Sequence, residues 1–190
     1  MLLFRARPPA SWLDKVLSRL PEVLVDHAHL ERKAATSAIA LEKYRELFHR
    51  VDELNAIAIE ELQHFQQVLA LLRARSVPFS HPQPSPWISG LMGAVRRGVR
   101  AQVIDHLLCA ALIEGRSCEK FQWLAQALES RDPALARFYA GLVESEGNHY
   151  ATYLLMAREI DRGEADRRLE DFLDLDARLV VREHPYGVLH

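Results

Sequence analysis

The stretch Val51–Ser76, "VDELNAIAIEELQHFQQVLALLRARS", has the apolar period of a helix and still carries charge on its inner face. Leu54, Ile57, Ala58, Phe65, Val68 and Leu72 recur at helical spacing, and Glu61 and His64 fall on the same stripe, one turn apart. A lone carboxylate on a packed face costs several kcal/mol or is forced to take up a proton. Whatever neutralises Glu61 must come from elsewhere in the chain.

Three other long helical stretches repeat the anomaly. In the segment about 133–161, Glu146 and His149 have the same Glu-x-x-His spacing, on a face with Leu135, Phe138, Leu142, Tyr153 and Met156. In the segment about 22–47, Glu31 lies in the stripe Leu24, His27, Ala34, Ala35, Ala38, Leu41. In the segment about 88–129, Glu114 lies in the stripe Val103, Leu107, Ala110, Ala111, Phe121. One inward carboxylate from each of four helices, with a His at i+3 on two of them, is the ligand set of a di-iron or di-manganese bundle.

Chance alone yields roughly three-quarters of one Glu-x-x-His in a chain of this composition, so position must discriminate. A third copy exists, Glu46 and His49. In an antiparallel helix pair, residues at equal depth are equidistant from the turn. The midpoint between Glu114 and the Glu146/His149 pair falls at about residue 131, where "SRDP" signals a turn. For Glu31 and Glu61/His64 the midpoint falls near residue 47, which puts Glu46 and His49 at the end of the bundle.

These readings give an all-α fold, a four-helix bundle of two similar hairpins, about 22–75 and 88–161, within a single domain 1–190. Parallel second and third helices require a long crossover, and "SVPFSHPQPSP", with four prolines in residues 76–86, is extended enough to supply it. The third helix has possible kinks at Gly93, Gly98 and Gly115. A short helix opening at Ser11, read as its N-cap, and a last amphipathic helix, about 164–182, complete the set.

Composition sets the outer bounds. A net charge of −2 with 49% hydrophobic residues describes a folded chain without a uniformly basic surface. Cys109 and Cys118 suit neither a disulfide framework nor a thiolate metal site. No run of 18 apolar residues occurs, and the start is too soon broken by Arg and Pro to read as a signal peptide, so a cytoplasmic chain with no membrane contact is expected.

Four Glu carboxylates offset two divalent ions, and hard oxygen donors with two imidazoles favour iron, with manganese the lesser alternative, over zinc. Nothing marks a flavin, nicotinamide or iron–sulfur site, so electrons for any redox chemistry are expected from a separate donor, a reductase.

The segments "DHAHLERKAA" (26–35), "EELQHFQQV" (60–68), "CAALIEGRSCEKF" (109–121) and "ESEGNHY" (144–150) carry a narrower likeness. From about Trp12 to His184 the chain resembles the tRNA 2-methylthio-N6-isopentenyladenosine hydroxylases, the MiaE family of ferritin-like di-iron monooxygenases. The resemblance implies O2-dependent hydroxylation of the isopentenyl group on the modified adenosine at position 37 of tRNA, next to the anticodon. It also implies that Glu31, Glu61, His64, Glu114, Glu146 and His149 are the iron ligands and the catalytic centre. The alternative is a ferritin-like ferroxidase, iron-storage or peroxide-detoxifying protein. Two cysteines cannot build the iron module of a rubrerythrin, and Val68 stands where a ribonucleotide reductase small subunit has its radical tyrosine.

Arg73 and Arg75 close the second helix, and "GAVRRGVR" places Arg96, Arg97 and Arg100 beyond the proline loop, with Trp87 between the two clusters. These six are the residues expected to meet the tRNA anticodon loop, the arginines on phosphate and the indole on an unpaired base. Phe65, Leu107, Phe121 and Leu142 are the inward apolar groups expected to suit a prenyl chain.

Iron analysis of purified variants tests the placement of the two Glu-x-x-His copies. His64→Ala should lose iron, whereas His49→Ala should retain the wild-type content. Equal loss in the two would contradict it.

Overall fold

The computed structural model describes residues 4–183 and 188–190. Among these, the chain forms α1 (Ser11–Ser18), α2 (Leu20–Leu41), α3 (Val51–Ala74), α4 (Pro86–Gly93), α5 (Val99–Leu128), α6 (Pro133–Ile160) and α7 (Arg162–Val180), with no strand. Helices α2 and α3 pack as one hairpin and α5 and α6 as the other. The second hairpin turns between Leu128 and Pro133, where the Asp132 side chain accepts from the Leu135 N–H and caps α6. This is the turn the matched depths require. In the first hairpin the turn holds a 3-10 segment, Arg45–Arg50. His49 lies there with its side chain 62% exposed, 3.5 Å from Glu159.

Several boundaries differ from the sequence reading. Helix α2 ends at Leu41, short of residue 47, because the chain tightens into the 3-10 turn. Ser11 is the first residue of α1 and not its cap; its hydroxyl donates to Glu183. The last helix starts at Arg162, where the Asp161 side chain accepts from the Glu164 N–H.

The largest correction concerns the span 88–129, which is two helices. Residues 94–98 interrupt it, and Gly98 at φ 99° occupies the left-handed region that side chains disfavour. The buried Asp105 carboxylate holds the break. It accepts from the Arg96 backbone N–H at 2.9 Å and from the Arg96 and Arg168 guanidinium groups, while Arg168 also donates to the Ala94 carbonyl. The break frees α4 to pack on α7, so closely that a Cβ on Gly90 would stand 2.6 Å from Leu179 Cδ1.

A second buried carboxylate, Asp176 of α7, joins three elements. It accepts from Arg116 of α5 and from the Trp87 indole N–H of α4 at 3.0 Å. The Trp87 ring stacks on His190, and the Leu189 N–H donates to Asp26 at 2.8 Å, so residues 188–190 are built into the core.

The bundle interior falls into two apolar halves. One half takes Ala38 and Leu41 of α2, Leu54 and Ile57 of α3, Leu107 of α5 and Met156 of α6. The other takes Leu24 and Ala28 of α2, Val68 and Leu72 of α3, Phe121 of α5 and Leu142 of α6. On every one of these four helices the expected ligands lie between the two sets.

Asp105→Ala would leave two guanidinium groups facing an emptied, buried position. A destabilisation of roughly 3 kcal/mol is expected in urea unfolding. A change below ~0.5 kcal/mol would mean that the break does not depend on this carboxylate.

Candidate metal centre

A spacing of i, i+3 on α3 and again on α6 sets each Glu and His on one helical face, and the hairpin turns bring the four helices to a common level. Ligand atoms of Glu31, Glu61, His64 and Glu146 lie within 4.8 Å of one another, and so do those of Glu61, Glu114, Glu146 and His149. All six residues expected from the sequence are therefore brought together, and all six are buried. Glu61 and Glu146 belong to both groups, which places them between two positions for a cation.

Both imidazoles turn Nδ1 inward. His64 Nδ1 is 3.8 Å from Glu31 and from Glu61 and 3.9 Å from Glu146; His149 Nδ1 is 2.7 Å from Glu61. The His149–Glu61 contact is close but lacks the alignment of a hydrogen bond, and Glu61 Oε1 and Oε2, His64 Nδ1, Glu146 Oε1 and His149 Nδ1 are all buried with no aligned hydrogen-bond partner. Orphaned polar atoms are rare in a folded interior, and five at one point mark a place built for something they bind together.

The electrostatics agree. Burial, reinforced by the Glu61 charge, raises the Glu31 carboxyl well above its ordinary range and brings Glu114 to about 8. Burial and the neighbouring Glu114, Glu31 and Glu61 charges raise Glu146 likewise. No Lys or Arg ion pair with these four carboxylates occurs among the described residues. Two divalent cations fit the site in charge and in donor type, because carboxylate oxygens with imidazole nitrogens suit iron or manganese.

Two further residues complete the site and were not assigned a role from the sequence. Glu60, half-exposed beside Glu61, accepts from His149 Nε2–H at 3.0 Å and so orients Nδ1 toward the centre. Its signal was present as a second carboxylate next to the first. His27, one turn before Glu31, places Nε2 in hydrogen-bond contact with Glu31 Oε1 and is fully buried against Phe121 and Tyr139. Burial depresses its pKa to about 3, so the ring is neutral. His27 stood on the apolar stripe, where a packed histidine gives the same pattern.

A groove of about 350 Å³ opens between α2 and α5. Leu30 and Ala34 of α2, Ala110 and Ile113 of α5 and Met92 of α4 wall it, and Glu114 and Tyr153 line its inner part. Of the six clustered residues, Glu114 alone lines it. The apolar groups expected to form a prenyl pocket do not: Leu107, Phe121 and Leu142 are packed in the two core halves, and Phe65 packs edge-on against Phe79. Those side chains pack into the core halves, whereas the groove lies where the small side chains of Ala34, Ala40 and Ala110 leave space between α2 and α5 unfilled.

Residues 2–190 match the tRNA-(MS2IO6A)-hydroxylase (MiaE) family. The chain belongs to that family. It is 38% identical, over 78% of its length and 72% of the relative's, to the tRNA 2-(methylsulfanyl)-N(6)-isopentenyladenosine(37) hydroxylase of Pseudomonas putida. Against the Salmonella typhimurium protein of the same name it is 37% identical over 69% of its length and 47% of the relative's. Among solved structures, a protein with aldehyde deformylating oxygenase activity from Synechococcus superposes at a TM-score of 0.87, with 32% identity and coverage of 100% of this chain and 96% of that one.

The residues expected to meet tRNA fare unevenly. Trp87 is buried and bonded to Asp176, so it offers no stacking face. Arg96 is engaged by Asp105 and Glu164 and serves the helix break. Arg75 pairs with Asp132 at 2.8 Å, and Arg100 donates to Ile160 O and Asp161 at the end of α6. Arg73 and Arg97 are exposed. Sequence proximity grouped these arginines, but three of them serve helix ends.

Glu146→Gln removes one mutually repelling carboxylate and one anionic ligand. Relative to metal-free wild type at pH 8, it should melt higher by roughly 2–4 °C per kcal/mol of repulsion relieved. Ferrous ion should raise the wild-type melting temperature, by ~2.7 kcal/mol of stabilisation at a hundredfold excess over Kd, and should scarcely move the variant. An equal rise in both would remove Glu146 from the ligand set.

Proposed function

We propose that this chain hydroxylates the isopentenyl group of 2-methylthio-N6-isopentenyladenosine at position 37 of tRNA, using O2 at a carboxylate-bridged di-iron centre. The observation that carries the reading is the apolar groove lined by Glu114, which brings an aliphatic group to the cluster where Glu61, His64, Glu146 and His149 together hold five unpartnered buried atoms. Its relatives' names supply the substrate.

Glu31 and His64 would hold one iron, Glu114 and His149 the other, with Glu61 and Glu146 shared between them. Reductive activation of O2 is the chemistry such a pair supplies, with two electrons from a separate donor. One oxygen atom enters the C–H bond, and the other leaves as water with two protons. The residues of this chain do the rest. His27 steadies the Glu31 carboxylate, and Glu60 fixes the His149 tautomer. Leu30, Ala34, Ala110 and Ile113 exclude water from the reacting carbon and leave the prenyl branch as the group that fits.

A second reading has a specific support. The structural neighbour acts on aldehydes, and an apolar groove of this size would also admit an aliphatic aldehyde. The proposal is tested by incubating the iron-loaded, reduced protein with prenylated tRNA under ¹⁸O2 and analysing the nucleosides by mass. A labelled hydroxyl on the prenyl group is expected. Unlabelled tRNA, with deformylated product from a long-chain aldehyde under the same conditions, would establish the second reading in its place.

A further inference from the structure

The groove has a charged mouth, and its charges are unusual for this chain. Only four of the 24 basic residues are lysines. Two of them, Lys33 and Lys43, stand on the rim, one near each end of the exposed edge of α2 that also carries Thr36, Ser37 and Ala40. Among the described residues neither lysine makes an ion pair at contact distance, Lys33 acting on the Asp26 carboxylate only at longer range; Lys43 lies over the Tyr44 ring at 4.9 Å. By contrast, Arg75, Arg96 and Arg100 are each neutralised by an aspartate or glutamate. The groove lining includes no arginine.

One ring occupies the same mouth. His106 of α5 lines the groove half-buried, and its Nδ1 is hydrogen-bonded to the Tyr44 hydroxyl at 3.0 Å. That bond fixes the orientation of a ring that itself lines the groove. Burial, with the nearby Lys43 charge, lowers its pKa, so it reaches neutral pH as an uncharged imidazole. Uncharged aromatic faces are what single-stranded RNA loops stack their splayed bases on.

We propose that the anticodon arm of tRNA docks on the α2–α5 face, with Lys33 and Lys43 on backbone phosphates, His106 against the modified adenine, and the prenyl branch inserted between Ala34 and Ala110 toward Glu114. The proposal rests on the hydroxylase reading for its substrate, and it moves the interface away from the arginine cluster at residues 96–100. The order of groups matches the order of chemistry in the ligand. Cations lie outermost where phosphate is, a ring lies where the base is, and aliphatic walls lie where the prenyl chain is. A free aldehyde would need the walls and not the two cations.

The test measures binding of iron-loaded protein to tRNA carrying or lacking the prenyl group, over a range of salt concentrations. Replacing Lys33 and Lys43 together by Ala should weaken binding about tenfold or more near physiological salt and lower the salt slope by about two, one for each phosphate contact. Arg97→Ala should change affinity less than about threefold. Ala110→Phe should erase the preference for prenylated over unprenylated tRNA, expected to be about tenfold, while leaving the salt slope in place. Should Ala110→Phe fail to fold, Ala40→Trp on the exposed rim makes the same test.

An unchanged slope in the double lysine variant, or a larger loss from Arg97→Ala, overturns the docking face. So does a prenyl preference that survives the filled groove. These readouts are separate from turnover. Labelled product from wild type with unaltered binding by the lysine variant would overturn the docking face alone. Lysine-dependent, prenyl-selective binding without labelled product would overturn hydroxylation alone.

Discussion

Four buried carboxylates at one level of a helical bundle are the constraint to which the rest of this protein answers. They divide the apolar interior in two, with Leu24, Val68, Phe121 and Leu142 on one side and Leu41, Leu54, Leu107 and Met156 on the other. Like charges at this spacing in a dry interior cannot all stay ionised without a cation, which is why Glu31, Glu114 and Glu146 are driven toward protonation. The helices hold them there only because each half of the core packs well without them. The site is thus tensioned by its own scaffold and relieved by what it binds.

The chain shows elsewhere how it treats a buried carboxylate that has no ligand to hold. Asp105 receives Arg96 and Arg168, and Asp176 receives Arg116 and Trp87. With 20 arginines in the sequence, guanidinium partners were available in quantity. None pairs with Glu31, Glu61, Glu114 or Glu146 among the described residues. The two aspartates fasten α4, α5 and α7 together, and α5 runs uninterrupted and largely buried past the centre. Arginine here is mainly a structural cation, and two of the four lysines, Lys33 and Lys43, are left at the groove.

The neighbour from Synechococcus shares this frame at a TM-score of 0.87, so the frame does not choose the substrate. Choice falls to the surface that leads inward. On the α2–α5 side, alanines at 34, 40 and 110 leave the space between two helices unfilled, and Glu114 lines the opening. Elsewhere around the centre large side chains close the bundle, as Phe121, Phe138 and Tyr139 do around His27.

How much of this was legible beforehand divides along a physical line. Helical period, the Glu-x-x-His spacings and the turn at Asp132 are local, and from them followed the bundle, its two hairpins and the six clustered residues, because depth in an antiparallel pair depends only on distance from the turn. The separation of Glu46 and His49 from the centre followed in the same way. Glycines at 93 and 98 marked a possible kink in the third helix, but local pattern could not reveal that residues 94–98 break it outright while Gly115 leaves it unbroken, since Asp105 and Arg168 close that break from nine and more than sixty residues away. Nor could it tell His27 on Glu31 from a packed core ring, or a buried Trp87 from an exposed one. The groove was the least legible feature of all. A cavity is defined by side chains that fail to meet, and only the tertiary arrangement of α2, α4 and α5 decides where that failure occurs. Sequence by itself determined which groups must share the interior; the fold decided which of them a substrate could reach.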